Sequence, residues 1–288
     1  MIWLLGNRGQ LGQDVEQLLV EKQEKFISSD IEVDKRDKER LKSFVNGKQV
    51  DWIVDCSAYT AVDRAEKEPD KAFGVNAHGT LNIAEIACDK ALKLIYISTD
   101  YIFNGEKEGA YSEDDTPGPL GVYGKSKLEG EINIKNNVKE YYIIRTSWLY
   151  GHHGNNFVNT MLDLLNKKSE VKVVADQWGS PTWTKDLARV MVHIIESDNG
   201  EYGVYHYSGE GKTSWFYFTQ EIYARARTHG IVKRDVKISP ITTEEYPADA
   251  RRPRNSYLSK DKIKTSFKIE VPRWQDSLEE FLAEIKEE

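Results

Sequence analysis

The stretch WLLGNRGQLGQDVEQLL, residues 3–19, places three glycines between a short apolar run and an amphipathic one. The apolar run predicts a buried strand, and the apolar residues spaced along the following stretch predict a helix. Gly6, Gly9 and Gly12 therefore stand in a strand–turn–helix unit, where the lack of a Cβ permits a tight turn and a close approach to the backbone. The pyrophosphate of a dinucleotide needs such a turn and a helix N-terminus. We interpret this stretch as a nucleotide-binding turn.

Outward from this turn, the first half of the sequence alternates short apolar runs with longer amphipathic stretches. Strands are predicted at residues 2–5, 26–29, 52–56, 94–98 and 142–145, and helices at 10–22, 38–45, about 70–90 and 123–136. Regular alternation of this kind is typical of βαβ units that feed a parallel sheet. The predicted fold is α/β, with a Rossmann-type doubly wound parallel sheet that forms an NAD(P)-binding domain over residues 1–150.

After RTSWLYG the pattern changes. Helices are predicted at residues 156–166, 185–196, 215–226 and 276–286, and strands at 171–175, 204–207 and 236–238. This less regular order indicates a smaller α/β substrate-binding lobe over residues 151–288, with some segments returning to the first domain. No Pro/Ser-rich linker separates the two parts, so we expect them to share an extensive interface.

Composition and charge restrict the class of function. The chain has 288 residues, 39% of them hydrophobic, and a net charge of -7. This charge provides no basic field for a polyanion, which argues against a nucleic-acid partner, and no segment is apolar over transmembrane length. Cys56 and Cys88 each have apolar neighbours and are expected to be free, buried thiols. We predict a cytoplasmic protein with no nucleic-acid or membrane partner.

The end of the second predicted strand bears on the choice of cofactor. Asp30 can accept hydrogen bonds from the adenine-ribose hydroxyls, which favours NADH. Arg8 lies inside the glycine turn, and Lys35 and Arg36 follow shortly after Asp30. These three cations could hold the 2′-phosphate of NADPH, or could be ordinary solvated loop residues. NADH and NADPH therefore both remain open.

The third and fourth strands are followed by small and hydroxyl residues. Ser57, Ala58 and Thr60 leave room for a dinucleotide, and Ser98, Thr99 and Asp100 are expected to reach toward its reactive end. Ligands of open parallel sheets bind beyond these strand ends. The same residue types also serve in turns and helix caps, which is the alternative interpretation.

A tyrosine–lysine pair, Tyr123 and Lys127, opens the helix after the fourth strand. The spacing alone has no weight, because about one such pair is expected by chance among 15 tyrosines. Its position at the sheet edge of the glycine turn is the informative feature. A nearby ammonium can lower the pKa of a phenol so that it exchanges a proton with an alkoxide, while Thr99 or Ser98 holds the carbonyl oxygen.

Nine segments carry a resemblance to a known family. They are GNRGQLG, AYTAVDRAE, VNAHGT, STDYIFNG, YGKSKLEGE, RTSWLYG, GNNFVNTML, DQWGSPT and ARRPRNSYL, in this order along nearly the whole chain. The set closely resembles dTDP-4-dehydrorhamnose reductases of the extended short-chain dehydrogenase/reductase superfamily. The resemblance implies reduction of the C4 ketone of dTDP-4-dehydro-β-L-rhamnose with NADPH or NADH.

By position, the resemblance implies a catalytic set, a cofactor set and a substrate set. Tyr123 is implied as general acid, Lys127 as its partner, and Thr99 as the catalytic hydroxyl. The cofactor set is Gly6, Arg8, Gly9, Gln10, Leu11, Gly12, Asp30, Ser57, Ala58, Thr60, Tyr123 and Lys127. The substrate set is Thr99, Asp100, Tyr123, Trp148, Asn156, Arg251 and Arg252, with Asn155, Phe157, Arg254 and Asn255 as further candidates. The arginine pair suits a diphosphate, although a surface salt bridge is the alternative.

Some members of the family that the sequence resembles have a magnesium ion that joins two subunits through acidic side chains, so the resemblance suggests such an ion in this chain. Asp14 is a candidate ligand, but Lys185 stands where an acid is expected, which weakens the expectation of both the magnesium ion and the dimer. The six histidines show no spacing typical of zinc ligands, so no metal site is predicted. The expected partners are the nucleotide sugar and, in the case of a homodimer rather than a monomer, a second copy of the chain.

Two other functions are compatible with the same residues. A non-catalytic, NADP-binding regulatory subunit similar to that of methionine adenosyltransferase also keeps a tyrosine–lysine pair, so the pair does not exclude it. A reductase of another dTDP-4-keto-6-deoxy sugar would differ only in the shape of its pocket.

Overall fold

The computed structural model describes residues 1–287. The strands are β1 (Ile2–Leu5), β2 (Phe26–Ser29), β3 (Trp52–Asp55), β4 (Lys93–Thr99), β5 (Tyr141–Thr146), β6 (Leu149–Tyr150), β7 (Glu170–Val174), β8 (Trp178–Gly179), β9 (Thr182–Trp183), β10 (Gly203–His206), β11 (Thr213–Ser214) and β12 (Lys237–Ile241). The helices are α1 (Gln10–Glu21), α2 (Lys38–Val45), α3 (Val62–Lys67), α4 (Pro69–Phe73), α5 (Thr80–Asp89), α6 (Val122–Asn137), α7 (Phe157–Lys167), α8 (Thr184–Ser197), α9 (Trp215–Thr228), α10 (Asp261–Phe267) and α11 (Trp274–Glu287).

The central sheet has six parallel strands in the order β10-β5-β4-β3-β1-β2. The register aligns their carboxyl ends, since Leu5 pairs with both Ser29 and Asp55, and Thr99 pairs with Thr146. The chain passes from β2 on one side of β1 to β3 on the other, and the glycine turn follows β1 at this reversal. Open α/β sheets bind ligands at such a reversal. The predicted α/β class and doubly wound parallel sheet are confirmed.

Apolar side chains cover both faces of the sheet. On one face α1 and α8 pack through residues such as Val15, Leu19 and Met191, and on the other α2, α5 and α6 pack through residues such as Leu41 and Ile83. Strand β10 and helices α8 and α10 belong to the later half of the chain yet complete this core. The domain division at residue 150 stays a prediction.

A third apolar cluster lies between α7, α9, α11 and the short strands, with Leu165, Trp183, Phe218 and Phe281 at its centre. It belongs to the irregular part of the chain, where β7 pairs with β12 and β8 with β11. The sequence predicted the four longer helices and the strands β7, β10 and β12 here to within a few residues. It missed α10 and the two-residue strands, whose patterns are too short to show a period.

Three details of the first half differ from expectation. The predicted helix at 70–90 is divided into α4 and α5 by a π-helical segment, Gly74–Gly79, and α3, before it, was not predicted. The two cysteines are free as predicted, but Cys88 is exposed and Cys56 only half-buried. The prediction that both are buried is wrong, because the amphipathic helix α5 turns Cys88 to solvent. Within residues 1–287, no helix combines the length and apolarity needed to cross a membrane.

Candidate functional site

A cleft with a volume of about 620 Å³ opens at the carboxyl edge of the sheet, between β1, β3, β4 and the start of α6. We call it the main cleft. It brings together most of the predicted residues, namely Gly6, Arg8, Gly9, Gln10, Leu11, Asp30, Ser57, Ala58, Thr60, Thr99, Asp100, Tyr123, Lys127 and Trp148. Residues more than 100 positions apart in sequence thus share one cavity, because parallel strands bring their carboxyl ends to one edge.

The glycine turn has the geometry expected of a nucleotide-binding turn. Gly6 has φ +76°, and a Cβ there would lie 2.8 Å from the backbone nitrogen of Ser57. Gly9 precedes α1 without a side-chain cap, so N–H groups of the first helical turn face the cleft's edge with no capping oxygen. These features fit a pyrophosphate held at a helix N-terminus.

Gly12 lies outside the cleft lining. A Cβ on Gly12 would come within 2.0 Å of the carbonyl oxygen of Gly6. Its role is therefore to let α1 pack against the turn, and the prediction that Gly12 itself touches the cofactor is not supported by its position.

Asp30 ends β2 as predicted, but its carboxylate already accepts two backbone hydrogen bonds. One comes from the N–H of Arg8 at 3.1 Å and one from that of Ile31 at 2.7 Å. A pocket of about 240 Å³ opens beside it, lined also by Asp34 and Arg36. This pocket has the position expected for an adenosine ribose at the end of the second strand.

Lys35 lines the same pocket, but its ammonium already has partners within the chain and is poorly placed to hold a 2′-phosphate. Its side chain is buried, with Nζ 2.6 Å from a carboxylate oxygen of Asp55 and 3.2 Å from the carbonyl oxygen of Ser57. The physical reason is the charge of Asp55 at the end of β3, which a buried cation must neutralise. Exposed Arg36 pairs with half-buried Asp34, and Arg8 lies 3.3 Å from Glu32.

Thr99 and Asp100 form the wall of the main cleft at the end of β4. The hydroxyl of Thr99 donates to Oδ1 of Asp100 at 3.1 Å and accepts from the N–H of Tyr101 at 3.2 Å. Burial raises the pKa of the Asp100 carboxyl to about 7. Asp100 therefore carries a proton for part of the time near neutral pH, which a surface aspartate does not.

Tyr123 lies in the first turn of α6, against Thr99. Burial raises the pKa of the Tyr123 phenol to about 12, an effect that the hydrogen bond with Thr99 partly offsets. Lys127 directs Nζ to the carbonyl oxygen of Ile97 at 2.6 Å and sits 4.0 Å from the ring centre of Tyr96. Burial lowers the pKa of Lys127 to about 7.

The expectation that Lys127 lowers the pKa of Tyr123 is therefore wrong for the chain by itself. The cost of placing a phenolate in a buried site outweighs any attraction to the ammonium, whose own charge is weakened by burial. The protonated phenol and a readily deprotonated amine are the groups that the cleft offers.

Trp148 lines the main cleft in a backbone conformation with φ +50°, unusual for a residue with a Cβ. Its ring stacks on that of Trp215, with centroids 3.5 Å apart and an interplanar angle of 11°. Gly179 packs against the same ring, since a Cβ there would lie 2.7 Å from Trp148 Cε2. Trp215 was missed, because an aromatic residue at the start of a helix carries no sequence signal of a tertiary stack.

Asn156 does not line the main cleft, and its predicted role in substrate binding stays a prediction. Its side chain caps α7 by accepting from the N–H of Asn159 at 3.0 Å, and donates to the carbonyl oxygen of Gly151 at 2.8 Å. All its polar atoms are thus engaged within the chain. The neighbouring Asn155 lines the cleft instead.

Arg251 and Arg252 line a second cavity of about 770 Å³, which we call the arginine cleft. Its wall also contains Asn104, Gln177 and Tyr246. The segment from Tyr101 to Gly105 runs from the wall of the main cleft to that of the arginine cleft. Arg252 forms a two-point ion pair with Asp63, at 2.6 and 3.2 Å. The salt-bridge interpretation is thus supported for Arg252. The diphosphate interpretation is supported by the position of both arginines in the lining of the cavity.

The residues around Asp14 do not fit a magnesium ion. Lys185 places its ammonium 2.6 Å from Glu284, and His152 lies 2.9 Å from the same carboxylate. A cation of the chain therefore stands among the oxygens that a divalent ion would need. Within residues 1–287, no group of three or more histidine, cysteine or acidic residues has an arrangement that could hold a metal.

Comparison with known proteins gives consistent results. The chain matches the family described as the RmlD substrate binding domain over residues 1–287. It is 38% identical to the dTDP-4-dehydrorhamnose reductase of Aggregatibacter actinomycetemcomitans, over 97% of each chain. The crystal structure of a dTDP-4-dehydrorhamnose reductase from Clostridium acetobutylicum superposes with a TM-score of 0.93 at 39% identity, over 99% of each chain. The crystal structure of the Bacillus anthracis dTDP-4-dehydrorhamnose reductase in complex with NADP superposes with a TM-score of 0.93 at 37% identity, over 98% of each chain.

Proposed function

The chain belongs to the RmlD substrate-binding-domain family, and from this premise we propose that it is a dTDP-4-dehydrorhamnose reductase. As an NAD(P)H-dependent oxidoreductase it reduces the C4 ketone of dTDP-4-dehydro-β-L-rhamnose to the alcohol of dTDP-β-L-rhamnose. The single observation that supports this best is the main cleft, where the glycine turn, Thr99 and Tyr123 meet in one cavity. The arginine cleft beside it supports binding of the nucleotide diphosphate.

The chain's own residues supply positioning and the proton. NADPH or NADH supplies the hydride when bound at the glycine turn. Thr99 is placed to hydrogen-bond the ketone oxygen, which orients the carbonyl carbon for attack. Tyr123 then donates its phenolic proton to that oxygen as it gains negative charge. The phenol is fully protonated at neutral pH, at its ordinary pKa near 10 as at the raised value of about 12, so it holds the proton that the reduction requires.

Lys127 is proposed to act behind Tyr123. Its Nζ is anchored to the carbonyl oxygen of Ile97, at the base of the cleft. Because the pKa of this amine is lowered to about 7, it exchanges protons near neutral pH. This property supports a role in returning a proton to the tyrosine and in contacting the nicotinamide ribose.

NADPH is the proposed cofactor, with NADH as the alternative. The relative from Bacillus anthracis that is 37% identical was crystallised with NADP. Both oxygens of Asp30 already accept hydrogen bonds from the backbone, and the guanidinium of Arg8 is exposed nearby. The guanidinium of Arg8 could pair with a 2′-phosphate, whereas the carboxylate of Asp30 keeps free lone pairs that could accept from the ribose hydroxyls of NADH.

The remaining proposals concern organisation and location. Residues 151–288 are proposed to contribute mainly the substrate-binding lobe, and the free thiols of Cys56 and Cys88 favour a cytoplasmic location. Monomer and homodimer both remain open, and no role is assigned to magnesium because the residues near Asp14 do not fit it.

The deciding experiment supplies the purified chain with dTDP-4-dehydrorhamnose and either NADPH or NADH, and follows the loss of reduced-cofactor absorbance. We expect turnover with NADPH at the higher kcat/KM. A parallel series of other dTDP-4-keto-6-deoxy sugars tests the substrate. Cofactor binding without oxidation of either cofactor would contradict the proposal and favour the regulatory-subunit interpretation.

A further inference from the structure

Helix α3 places Val62 in the lining of the main cleft and, through Asp63, contacts Arg252 in the wall of the arginine cleft. It carries two acids one turn apart, Asp63 and Glu66, on the segment that follows β3. Residues three apart on a helix share a face. The motif AYTAVDRAE that contains them contributes Ala58 and Thr60 to the main cleft. Asp63 and Glu66 themselves have no role in the proposed chemistry, so the contacts of these two carboxylates need another explanation.

Asp63 anchors the arginine segment. Its Oδ1 accepts from the backbone N–H of Ala250 at 3.0 Å, and its two oxygens accept from Nη1 and Nη2 of Arg252. Lys67, one turn further along α3, pairs with Asp249 at 2.5 Å. The backbone before Arg251 is thereby fixed to α3, and Arg251 and Arg252 are held at the arginine cleft.

The charge of Asp63 is maintained by these contacts. Burial raises the pKa of the Asp63 carboxyl, but the hydrogen bonds from Arg252 and Ala250 outweigh burial and hold that pKa below its ordinary value. A bidentate carboxylate also restricts the plane of the guanidinium.

Glu66 caps the helix that carries Tyr123. Helix α6 begins after Gly121, which has no side chain to satisfy the first N–H groups. Oε1 of Glu66 accepts from the N–H of Val122 at 2.8 Å. A Cβ on Gly121 would lie 2.6 Å from that oxygen, so the carboxylate occupies the space of a capping side chain. A negative charge here also complements the helix dipole.

We infer that α3 is a positioning element for both halves of the reaction, in which Asp63 sets the arginine segment for the nucleotide diphosphate and Glu66 sets the first turn of α6 for Tyr123. The inference rests on the proposed reductase function. It predicts that the two acids, although one turn apart, affect separable steps: Asp63 affects nucleotide binding and Glu66 affects turnover.

The test compares Asp63→Ala and Glu66→Ala with Arg64→Ala, a control that removes a charged and exposed side chain from the same helix. Asp63→Ala is expected to weaken dTDP binding about tenfold by calorimetry, and to raise the KM for the nucleotide sugar with little change in kcat. Glu66→Ala is expected to lower kcat about tenfold at unchanged dTDP affinity. Glu66→Gln keeps an oxygen acceptor for Val122 and is expected to recover most of the turnover.

Two measurements, one of them the calorimetry with dTDP, separate this inference from the proposed function. Calorimetry with dTDP, and hydrogen exchange at the amide of Val122, need no turnover, so they test Asp63 and Glu66 even if the sugar is not reduced. Exchange at Val122 is expected to be faster in Glu66→Ala and unchanged in Asp63→Ala. Equal losses of binding and turnover in both variants would overturn the inference, as would wild-type values in both.

Discussion

At the residue scale, burial controls the acid–base properties of the main cleft. It raises the pKa of Tyr123 to about 12, lowers that of Lys127 to about 7 and raises that of Asp100 to about 7. All three shifts have the same cause, because a site that excludes water disfavours the charged form of each group. The cleft is thus arranged to hold neutral groups until a charge develops on the substrate.

Replacing Tyr123 by phenylalanine tests the proton donor. The change removes the hydroxyl and keeps the ring that packs edge-on against Tyr101. We expect kcat to fall by about 100-fold or more, the usual contribution of general acid catalysis, with cofactor affinity retained. Turnover and fluorescence titration of NADPH measure the two quantities. Tyr223→Phe, which removes a hydroxyl outside the cleft, serves as the control, and an unchanged kcat in Tyr123→Phe would exclude the role.

Asp100 makes the reaction sensitive to pH. Its pKa is raised to about 7, so the carboxyl is neutral below pH 7 and negative above it. A negative charge beside Thr99 opposes the alkoxide that forms there, so we expect kcat to fall as the pH rises through 7, by up to about tenfold per unit. Asp100→Asn should remove this limb of the pH profile. Persistence of the limb in the variant would assign it to Lys127 instead.

At the scale of elements, the contact between β1, its turn and α1 determines where the cofactor can bind. Gly12 brings the helix against Gly6, and Gly6 in turn lies against the backbone of Ser57 after β3. Three backbone segments therefore meet without side chains between them. A single methyl group in this contact must move at least one of the three.

Gly12→Ala is expected to weaken cofactor binding and to lower the free energy of unfolding by about 1–3 kcal/mol, because the new methyl would lie 2.0 Å from the carbonyl oxygen of Gly6. Denaturant titration and NADPH titration measure the two effects. The matched control is Gly109→Ala, where an added Cβ meets nothing within 4 Å. Equal behaviour of the two variants would show that the turn tolerates displacement of α1.

At the scale of the whole molecule, β10 ties the later half of the chain to the sheet. His206, its last residue, is buried, with Nδ1 3.1 Å from the carbonyl oxygen of Tyr111 and Nε2 3.3 Å from Arg145. Arg145 is itself paired with buried Glu131 at 2.8 Å. Burial, followed by repulsion from Arg145, lowers the pKa of His206 to about 3.

This histidine is expected to contribute to acid unfolding. The unfolded chain binds the proton at the ordinary pKa near 6.5, whereas the folded chain does not until about pH 3, so stability falls as the pH drops from 6.5 toward 3. The His206→Gln variant has no titrating group at this position, so its stability does not fall for this reason as the pH drops. The stability gap between wild type and variant should therefore narrow by about 2–3 kcal/mol between pH 7 and pH 4.5. Denaturant titrations at the two pH values measure it, and a constant gap would contradict the assignment.

The parts of the fold that the sequence predicted well depend on local signals. The glycines at positions 6, 9 and 12, the β-branched runs and the helical periodicities each act within about a dozen residues, so the order of strands and helices and the position of the main cleft followed from them. The predicted residues of the glycine turn, β3, β4 and α6 therefore lie together at the carboxyl edge of the sheet, and Gly12 alone of the three glycines does not line the main cleft.

What only the tertiary structure decided are the contacts between residues far apart in the chain. Asp63 and Arg252 are 189 positions apart, and Lys35 and Asp55 are 20 apart on different elements. No periodicity encodes the burial of Lys35, the stack of Trp215 on Trp148 or the return of β10 to the sheet. The sequence alone determined which chemical groups the sheet edge would carry, because strand and turn signals are local. Their charge states and partners depended on burial, which exists only once the chain is packed.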